Sequence, residues 1–392
     1  MPKKILIFST AYLPLIGGAE IAIKEITDRL DDFQFDLITL RFNSNLKKSE
    51  KVGKINVYRI GFVKNNPSLA DLVKWPLKLN KYFFPFTACF MACRLHRRNK
   101  YNGIWVMMAS FAGFAAMFFK TFHKNVPYLL TLQEGDPFEE IKKKVNLVYP
   151  LFKKIFIKAD FIQVISNYLA GFAREMGYKG ELEVVPNGVD VKKFKVENLK
   201  LTAEELKNKL KITRDNKVII TSSRLVKKNA VDDIIKSLYS LSPDIKLLIL
   251  GDGPDRKKLE NLAEQLKLLN RIIFLGAYNN DDLPEYLAIS DVFVRPSLSE
   301  GQGISFLEAM AAGVPVIATP VGGIVDFLRD GETGLFCKVN NPESIAVKIK
   351  ILLENKELAD KIKINARNMI EENYNWDLLA VKIKNIFNRL IK

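Results

Sequence analysis

The chain has 392 residues, the length of two ordinary domains, and its composition is that of a folded globular protein. A formal net charge of +16 indicates an anionic partner. Its three cysteines, Cys89, Cys93 and Cys337, exclude a disulfide framework and a zinc pattern, so we expect a reducing cytoplasm. The amino terminus, MPKKILIFST, enters a strand at once, and we expect no signal peptide there.

The first predicted strand, Lys4–Phe8, leads into a loop that ends in two glycines. Gly17 and Gly18 precede a helix predicted over about residues 20–30. Glycines before a helix N-terminus suit the approach of a phosphate or a sugar to the backbone, but a tight turn requires the same residues. Further buried strands are predicted at residues 35–40, 57–60, 103–109, 127–132 and 161–166.

Residues 67–98 combine aromatic residues with lysine and arginine, and no carboxylate occurs between Asp71 and Glu134. The aromatic residues include Trp75, Phe83, Phe84, Phe86 and Phe90. We expect Pro76 and Pro85 to interrupt any long helix here. Two interpretations stay open: a surface that docks on anionic lipid headgroups, or a helix that packs on the sheet with its lysines in water.

Two other stretches bear on contact with a membrane. The apolar run Gly103–Phe119 is uncharged, but it divides into a strand and a small-residue helix, so we do not expect it to span a bilayer. Residues 139–158 alternate lysine with apolar residues at helical spacing, which is typical of a half-buried helix or of a membrane-contacting face. His96 and His123 lie in basic helical contexts and are expected at the surface.

The turn cluster Pro186–Asp190 predicts the boundary between two domains. The first domain is predicted over residues 1–185 and the second over residues 186–375. The apolar spacing within residues 376–392 indicates a helix that packs back on the first domain. After this boundary, residues 191–215 are predicted as a lysine-rich connector with one short helix.

Two cations follow the first predicted strand of the second domain. Arg224, with its planar guanidinium, and Lys228, a point charge, suit a diphosphate, although a solvated basic turn has the same composition. Lys227 is the rival of Lys228 for this role. Gly251 and Gly253 come after the next strand, where they let a base or a phosphate approach or simply form a tight turn.

A loop near the middle of the second domain has the strongest chemical pattern. Gly301 and Gly303 let the backbone approach a ligand, and the helix predicted from about Ile304 aims free N–H groups at an anion such as a phosphate. Glu300 and Glu308 flank this position, and their carboxylates suit hydrogen bonds from vicinal hydroxyls. The loop therefore suggests a ligand with a diphosphate and sugar hydroxyls, a nucleotide-sugar.

At these residues the sequence resembles a known family. The pattern E-G-x-G-x-x-x-x-E from Glu300, followed by A-x-x-x-G-x-P-V-I-A and V-G-G, is similar to the retaining family 4 glycosyltransferases. P-N-G-V-D at residues 186–190, R-L-V and a lysine from Arg224, G-x-G-P from Gly251 and a later G-E-T-G-L extend the resemblance over nearly the whole chain. The family has the GT-B fold, an α/β architecture in which two Rossmann-like domains with doubly wound parallel sheets face a cleft.

The resemblance implies an acceptor-binding first domain and a second domain that binds the nucleotide-sugar. It implies the catalytic residues Arg224, Lys228 and Glu300. The donor-binding residues that it implies are Gly17, Gly18, Gly251, Gly253, Ala277, Gly303, Ile304 and Glu308. The cations and the helix amides would stabilise the departing diphosphate, Glu308 would hold the ribose, Glu300 would hold the transferred sugar, and Ala277 would lie beneath the nucleobase.

One position departs from the family pattern. Family members often carry a histidine two residues after the threonine of the strand at residues 127–132, and Gln133 stands there in this sequence. Asp136 remains as an acceptor-side group. The family implies retention at the anomeric carbon without a covalent nucleophile, since the leaving diphosphate can take the acceptor proton. No D-x-D lies near a strand end, so neither a metal ion nor a further cofactor is expected.

We therefore expect a cytoplasmic glycosyltransferase (EC 2.4), peripheral on the inner membrane face, that extends a lipid-linked or cell-envelope glycan in polysaccharide biosynthesis. Its expected partners are a nucleotide-sugar donor, this acceptor and an anionic membrane surface. Two alternatives remain: a nucleotide-sugar 2-epimerase of the same fold, which the missing histidine disfavours, and a non-catalytic protein that binds an anionic surface. Nucleic-acid binding is not expected, since no recognition motif accompanies the charge.

Overall fold

The computed structural model describes residues 2–15, 17–67, 71–194 and 201–391. Contacts divide the chain into two compact units, Met1–Asn187 with Trp376–Lys392, and Gly188–Asn375. The chain therefore leaves the first unit after Asn187 and returns to it at Trp376. Parts of two predicted segments, residues 68–70 of the aromatic stretch and residues 195–200 of the connector, lie outside the described residues.

The first unit is built on a sheet of eight strands. They are β1 (Lys3–Phe8), β2 (Phe33–Leu40), β3 (Ser49–Val52), β4 (Ile55–Ile60), β5 (Gly103–Met107), β6 (Tyr128–Leu132), β7 (Phe161–Val164) and β8 (Glu181–Val184). The spatial order is β3-β4-β2-β1-β5-β6-β7-β8, and only the β3–β4 pair is antiparallel. The central strands are almost wholly apolar because helices cover both faces of the sheet.

Helices pack on both faces of this sheet. They are α1 (Gly18–Arg29), α2 (Leu79–Asn99), α3 (Phe111–Phe122), α4 (Phe138–Lys144), α5 (Tyr149–Ile157), α6 (Asn167–Glu175) and the carboxy-terminal helix Trp376–Leu390. One core lies between the sheet and α2, α3, α5 and α6, and the other lies under α1 and the carboxy-terminal helix. Phe387 anchors that last helix, with its ring centroid 5.4 Å from Phe33 and 5.5 Å from Trp105.

Helix α2 corrects the expectation about proline. Pro85 lies inside the helix and is buried, so it does not interrupt it. A proline in a helix interior removes one backbone hydrogen bond and costs about 3 kcal/mol. Packing outweighs this cost, because Phe84 and Ala88 join the core and Phe86 stacks on Phe118 of α3 with ring centroids 5.5 Å apart.

Several other expectations about local structure need correction. Residues 139–158 form two helices, α4 and α5, separated by a 3-10 turn at Asn146–Val148. Strand β3 escaped prediction because its sequence, SEKV, is polar and lies at an edge of the sheet. His96 and His123 are half-buried rather than simply exposed, and their ring centroids lie 4.7 Å apart.

The second unit contains a fully parallel sheet of six strands. They are β9 (Lys217–Ser222), β10 (Ile245–Leu250), β11 (Ile272–Gly276), β12 (Val292–Arg295), β13 (Val316–Ala318) and β14 (Leu335–Phe336). The spatial order is β11-β10-β9-β12-β13-β14. Buried apolar side chains line both faces, so this sheet is also covered on both sides.

The second unit has seven α-helices among its described residues. They are α7 (Ala203–Lys209), α8 (Val231–Ser237), α9 (Arg256–Gln265), α10 (Leu283–Ala288), α11 (Ile304–Ala311), α12 (Pro342–Glu354) and α13 (Lys356–Asn373). Helices α8, α9 and α12 cover one face, and α7, α10 and α11 cover the other. Across the described ranges of the whole chain, no helix has the length and apolar character to cross a membrane.

The strand order places two loops at a topological switch point in the second unit. After β9 the chain continues to β10 on one side of the sheet, and after β12 it continues to β13 on the other. Ligands of doubly wound sheets bind in the crevice that such diverging loops leave at the carboxyl ends of the strands. The Arg224 and Glu300 loops follow these two neighbouring strands, so the fold brings these two predicted catalytic residues to the same edge of the sheet.

Candidate active site

The loops after β9 and β12 are bonded directly to each other. The Leu298 N–H donates to the Lys228 carbonyl at 2.7 Å. Asn229 makes a second connection, because its Nδ2 donates to the Arg224 carbonyl at 2.6 Å and its Oδ1 accepts from Arg295 at 3.1 Å. The cationic segment predicted to bind a diphosphate therefore lies beside the loop with the predicted sugar-binding carboxylate.

The cations of this segment differ in their surroundings. The Arg224 side chain is exposed, and no salt bridge engages it within the described part of the chain. Lys228 is half-buried at the contact with the next loop, whereas its rival Lys227 is exposed. The exposed guanidinium of Arg224 is available to an anionic ligand, and the choice of Lys228 over Lys227 as the second cation stays a prediction.

Glu300 is held by a residue that sequence reasoning missed. Its side chain is buried and forms an ion pair with Arg295, and its Oε1 accepts the Gly301 N–H at 3.1 Å. The signal was present in the sequence, because Arg295 ends a strand that is buried along its length. An arginine at such a position needs a polar partner, and two acids, Asp291 and Glu300, lie within five residues of it in the sequence.

Helix α11 begins at the predicted position, Ile304, and Gly303 caps it with a φ of +83°. A side chain there would be strained, and an added Cβ would lie 2.6 Å from the Phe306 ring. Glycine at this position is therefore explained by the turn into the helix. Its role toward a donor, like that of the Ile304 amide, stays a prediction.

Glu308 lies in the second turn of α11 and is buried. Burial raises the pKa of its carboxyl from 4.5 to about 7, and the Lys193 charge and a hydrogen bond with Asn280 oppose this rise. Lys193 in turn donates to the Asn280 carbonyl at 2.7 Å. Neither neighbour was predicted, because Lys193 comes from the connector more than a hundred residues earlier in the chain.

Tyr278 stands close to this carboxylate. Burial, and then the charge of Glu308, raise the pKa of the Tyr278 hydroxyl to about 12, and that hydroxyl bonds to the Ser222 Oγ at 2.6 Å. The predicted base-binding residue Ala277 precedes it, exposed, just after β11. The ends of β9 and β11 and helix α11 thus meet around one buried acid.

Gly251 and Gly253 have a structural explanation that requires no ligand. A Cβ added at Gly251 would overlap the Ser223 carbonyl, and one at Gly253 would overlap the Leu225 carbonyl. The two loops also exchange backbone bonds, including Leu225 N–H to the Asp252 carbonyl at 3.0 Å. This is the tight-turn alternative, and the donor-binding role of both glycines stays a prediction.

In the first unit, Gly17 and Gly18 open helix α1. Gly17 is the N-cap and Gly18 the first helical residue. The carboxylate of Glu20 lies over this turn, since a Cβ added at Gly17 would be 2.6 Å from its Oε2. Burial raises the Glu20 pKa to about 6, against hydrogen bonds from the Glu20 and Gly17 amides. The protein's own acid therefore occupies amides that the sequence offers to a donor phosphate.

The acceptor-side residues lie in the loop after β6. Gln133 and Asn187 form a reciprocal amide pair, with both N–O distances 3.1 Å. Asp136 is at the surface and pairs with Lys144 at 2.9 Å. The structure thus places an amide pair where the family often has histidine.

Glu134 is a further residue that the sequence reasoning missed. Its carboxylate accepts the Ala109 N–H at 2.6 Å and the Gln133 N–H at 2.9 Å, so it joins the loops after β5 and β6. Burial raises its pKa to about 7 despite these bonds. Among the described residues, no group of three or more histidines, cysteines or acids is placed to bind a metal ion.

Two family models match the sequence. The model described as Glycosyltransferase Family 4 matches residues 16–193, and that described as Glycosyl transferases group 1 matches residues 202–369. An uncharacterized glycosyltransferase of Methanocaldococcus jannaschii is 28% identical over 410 residues, 99% of each chain. The alpha-monoglucosyldiacylglycerol synthase of Acholeplasma laidlawii is 24% identical over 93% of this chain and 91% of its own.

Solved structures show the same fold. Sucrose-phosphate synthase from Thermosynechococcus elongatus has a TM-score of 0.82 at 20% identity, over 99% of each chain. Anabaena Alr3699/HepE in complex with UDP-glucose has a TM-score of 0.80 at 20% identity, over 99% of this chain and 100% of its own. The two parallel-sheet units and these likenesses define a GT-B protein, which confirms the predicted fold. With the two matched models, the chain belongs to glycosyltransferase family 4 and is a transferase of EC 2.4.

Proposed function

We propose that this enzyme transfers a sugar from a nucleotide-sugar to a lipid-linked or cell-envelope glycan, with retention at the anomeric carbon and without a metal ion. The observation that carries the proposal is the contact between the loops after β9 and β12, which sets a cationic segment beside a buried carboxylate at the switch point. UDP-glucose in the complex of the Anabaena neighbour supports a nucleotide-sugar as donor.

Negative charge grows on the diphosphate as the bond between C1 of the sugar and the phosphate oxygen breaks. Arg224 and Lys228, with the first amides of α11, stabilise this charge, which is the main source of catalysis in a preorganised site. Glu308 accepts hydrogen bonds from the ribose, and Glu300 accepts them from the transferred sugar. The acceptor oxygen forms the new bond to C1, and its proton passes to the leaving phosphate oxygen.

Retention on this scheme needs no covalent intermediate. The Glu300 carboxylate pairs with Arg295 and accepts the Gly301 N–H, so its negative charge is already engaged and it is a poor nucleophile. Attack on the face that the diphosphate leaves keeps the anomeric configuration. The two cations meet the charge of the leaving group, and for this reason the proposal includes no metal ion.

The aromatic face of α2 supports an acceptor at a membrane. We give this name to the side chains of Tyr82, Phe83, Phe86 and Phe90, which are 55%, 49%, 63% and 74% exposed. Exposed cations flank them along the chain, at Lys74, Lys78, Arg94, Arg97 and Arg98. Aromatic rings that enter the interface, with cations at the headgroups, are typical of proteins that lie on an anionic bilayer.

Two other helices of the first unit also end in exposed apolar side chains. Phe122 at the end of α3 is 72% exposed, and Ile157 at the end of α5 is 57% exposed. Lys158 Nζ donates to Thr121 Oγ1 at 2.7 Å and so joins the two helix ends. The alpha-monoglucosyldiacylglycerol synthase of Acholeplasma laidlawii, whose name specifies a lipid product, supports a lipid acceptor for this chain at the cytoplasmic membrane face.

Substitution of the exposed cation tests the proposed function. Arg224→Ala should lower turnover of the donor roughly a hundredfold, the size of effect seen when one preorganised charge partner is removed. Arg367→Ala is the control, because Arg367 pairs with Glu371 on α13 and lies in no loop of the candidate site. Wild-type turnover in Arg224→Ala contradicts the leaving-group assignment, and a product with inverted configuration by NMR contradicts the retaining scheme.

A further inference from the structure

Arg295 ends β12 and is a buried arginine, 9% exposed, whose guanidinium contacts three separate elements. Its Nη2 pairs with the Glu300 carboxylate and donates to Asn229 Oδ1 at 3.1 Å. Its Nη1 donates to Ser305 Oγ at 2.9 Å. The guanidinium also lies over the Phe306 ring, with Cζ 5.2 Å from the centroid. All of these partners belong to the second unit.

Each polar partner of Arg295 comes from a different part of the candidate site. Asn229 closes the cationic segment, since its Nδ2 donates to the Arg224 carbonyl at 2.6 Å. Glu300 is the carboxylate that the proposed function assigns to the transferred sugar. Ser305 lies in the first turn of α11, whose amides face the diphosphate in the same scheme. One planar group with fixed bond angles therefore sets the spacing of three ligand-binding elements.

Stability alone explains this residue poorly. Removing a guanidinium and a carboxylate from water costs several kcal/mol for each ion, and apolar residues of similar size often replace such pairs without loss. Val292 and Phe293 show that the same strand packs well with apolar side chains. Arg295 is a buried charge at a position where an apolar residue would pack. We take this to indicate that its bonds are needed to fix the geometry of the candidate site.

We propose that Arg295 is a positioning residue for sugar transfer. It orients the Glu300 carboxylate toward the donor sugar and acts on the donor through Glu300, while its bonds to Asn229 and Ser305 fix the guanidinium in the position that this orientation requires. The inference rests on the proposed function, because the orientation of Glu300 matters only if this carboxylate binds the sugar. Lysine can reproduce this role only in part, since one ammonium group lacks the fork that reaches three partners at fixed angles.

The test compares Arg295→Met and Arg295→Lys with a matched control, Arg271→Met. Arg271 is also a buried arginine of the second unit, 8% exposed. Its guanidinium makes three hydrogen bonds, to the carbonyls of Leu238, Ser242 and Ile245 at 2.9, 2.6 and 3.2 Å. These carbonyls precede β10 or begin it, at the opposite end of that strand from the Gly251 loop. The control thus distinguishes the general effect of losing a buried arginine from the specific effect of losing Arg295.

The first readout is binding, measured by calorimetry with UDP and UDP-glucose, or with GDP and GDP-mannose if the wild type binds that pair. In Arg295→Met the affinity for the nucleoside diphosphate should stay within about threefold, while the extra affinity that the sugar provides is lost. Turnover should fall about a hundredfold, as expected for a misplaced group at a reacting centre. Arg295→Lys should recover part of the sugar-dependent affinity and part of the turnover. Arg271→Met should keep the wild-type values of both quantities per folded molecule.

A double-mutant cycle separates positioning from a structural role. If Arg295 acts through Glu300, adding Arg295→Met to Glu300→Gln should lower turnover by no more than about threefold further. Losses that multiply, or an Arg295→Met enzyme with wild-type turnover, overturn the inference. If Arg295→Met does not fold, the same cycle is run with Arg295→Lys. A wild type that binds no nucleotide-sugar refutes the proposed function itself, whereas wild-type turnover in Arg224→Ala refutes only its leaving-group assignment.

Discussion

The buried acid Glu308 should make the enzyme less stable above neutral pH, and Glu308→Gln should remove this cost. Burial raises its pKa from 4.5 to about 7, so the folded state holds the proton more tightly than the unfolded chain between these values. The free energy of unfolding therefore falls as the pH rises through this window. A shift of this size corresponds to about 3 kcal/mol at pH 8, and to much less at pH 5.

Urea denaturation at pH 5 and pH 8 measures the effect. All three tryptophans, Trp75, Trp105 and Trp376, belong to the first unit, so their fluorescence reports that unit, and circular dichroism reports both. Glu308→Gln should gain stability over the wild type at pH 8, with a small difference at pH 5. The gain should appear in the part of the transition that tryptophan fluorescence does not follow.

The control for this experiment is Glu260→Gln. Glu260 pairs with Arg256 one helical turn away, at 2.9 Å, on α9 of the same unit. Loss of such a partly exposed pair should cost about 0.5 kcal/mol or less at both pH values. An equal change in Glu308→Gln at pH 5 and pH 8, or a loss of stability at pH 8, would refute the reasoning from burial. Glu308→Gln should also bind the nucleoside diphosphate roughly tenfold more weakly, since a charged hydrogen-bond acceptor is lost.

Two further outcomes are expected. The double variant Phe86→Ser, Phe90→Ser should partition less onto vesicles that contain phosphatidylglycerol. The control Ile364→Ser, which changes a similarly exposed apolar residue of the second unit, should partition like the wild type. If the double variant also partitions like the wild type, the membrane role of the aromatic face is contradicted. Gly251→Ala should destabilise the second unit by about 3 kcal/mol, because its φ is +126° and the new Cβ overlaps the Ser223 carbonyl; unchanged urea denaturation contradicts the loop packing.

Much of the fold was predictable because its strands are short apolar runs between turn residues. The strands predicted in the first domain, such as Lys4–Phe8 and residues 127–132, agree with the structure to within about two residues at each end. Helix α11 starts at Ile304 as expected, since glycines and a small-residue run mark its beginning. These signals are local, so a sequence contains them before any tertiary contact forms.

The candidate site was predictable in part for the same reason. The motifs identified the loops with Arg224, Lys228 and Glu300, because glycine, cations and acids cluster in short segments after strands. Parallel pairing then places such loops at one edge of a sheet. This reasoning could not predict which residues form hydrogen bonds or ion pairs with one another. The roles of these residues toward a donor stay predictions.

The sequence by itself determined the class of fold, the family and the loops that carry polar groups, because periodicity and motif spacing are properties of neighbours in the chain. Only the tertiary structure decided that Arg295 engages Glu300, that Gln133 pairs with Asn187 and that Lys193 faces Glu308. It also decided that Pro85 stays inside a helix. In each case the controlling energy comes from burial beside residues that are distant in sequence, where a charge or an amide must find its partner.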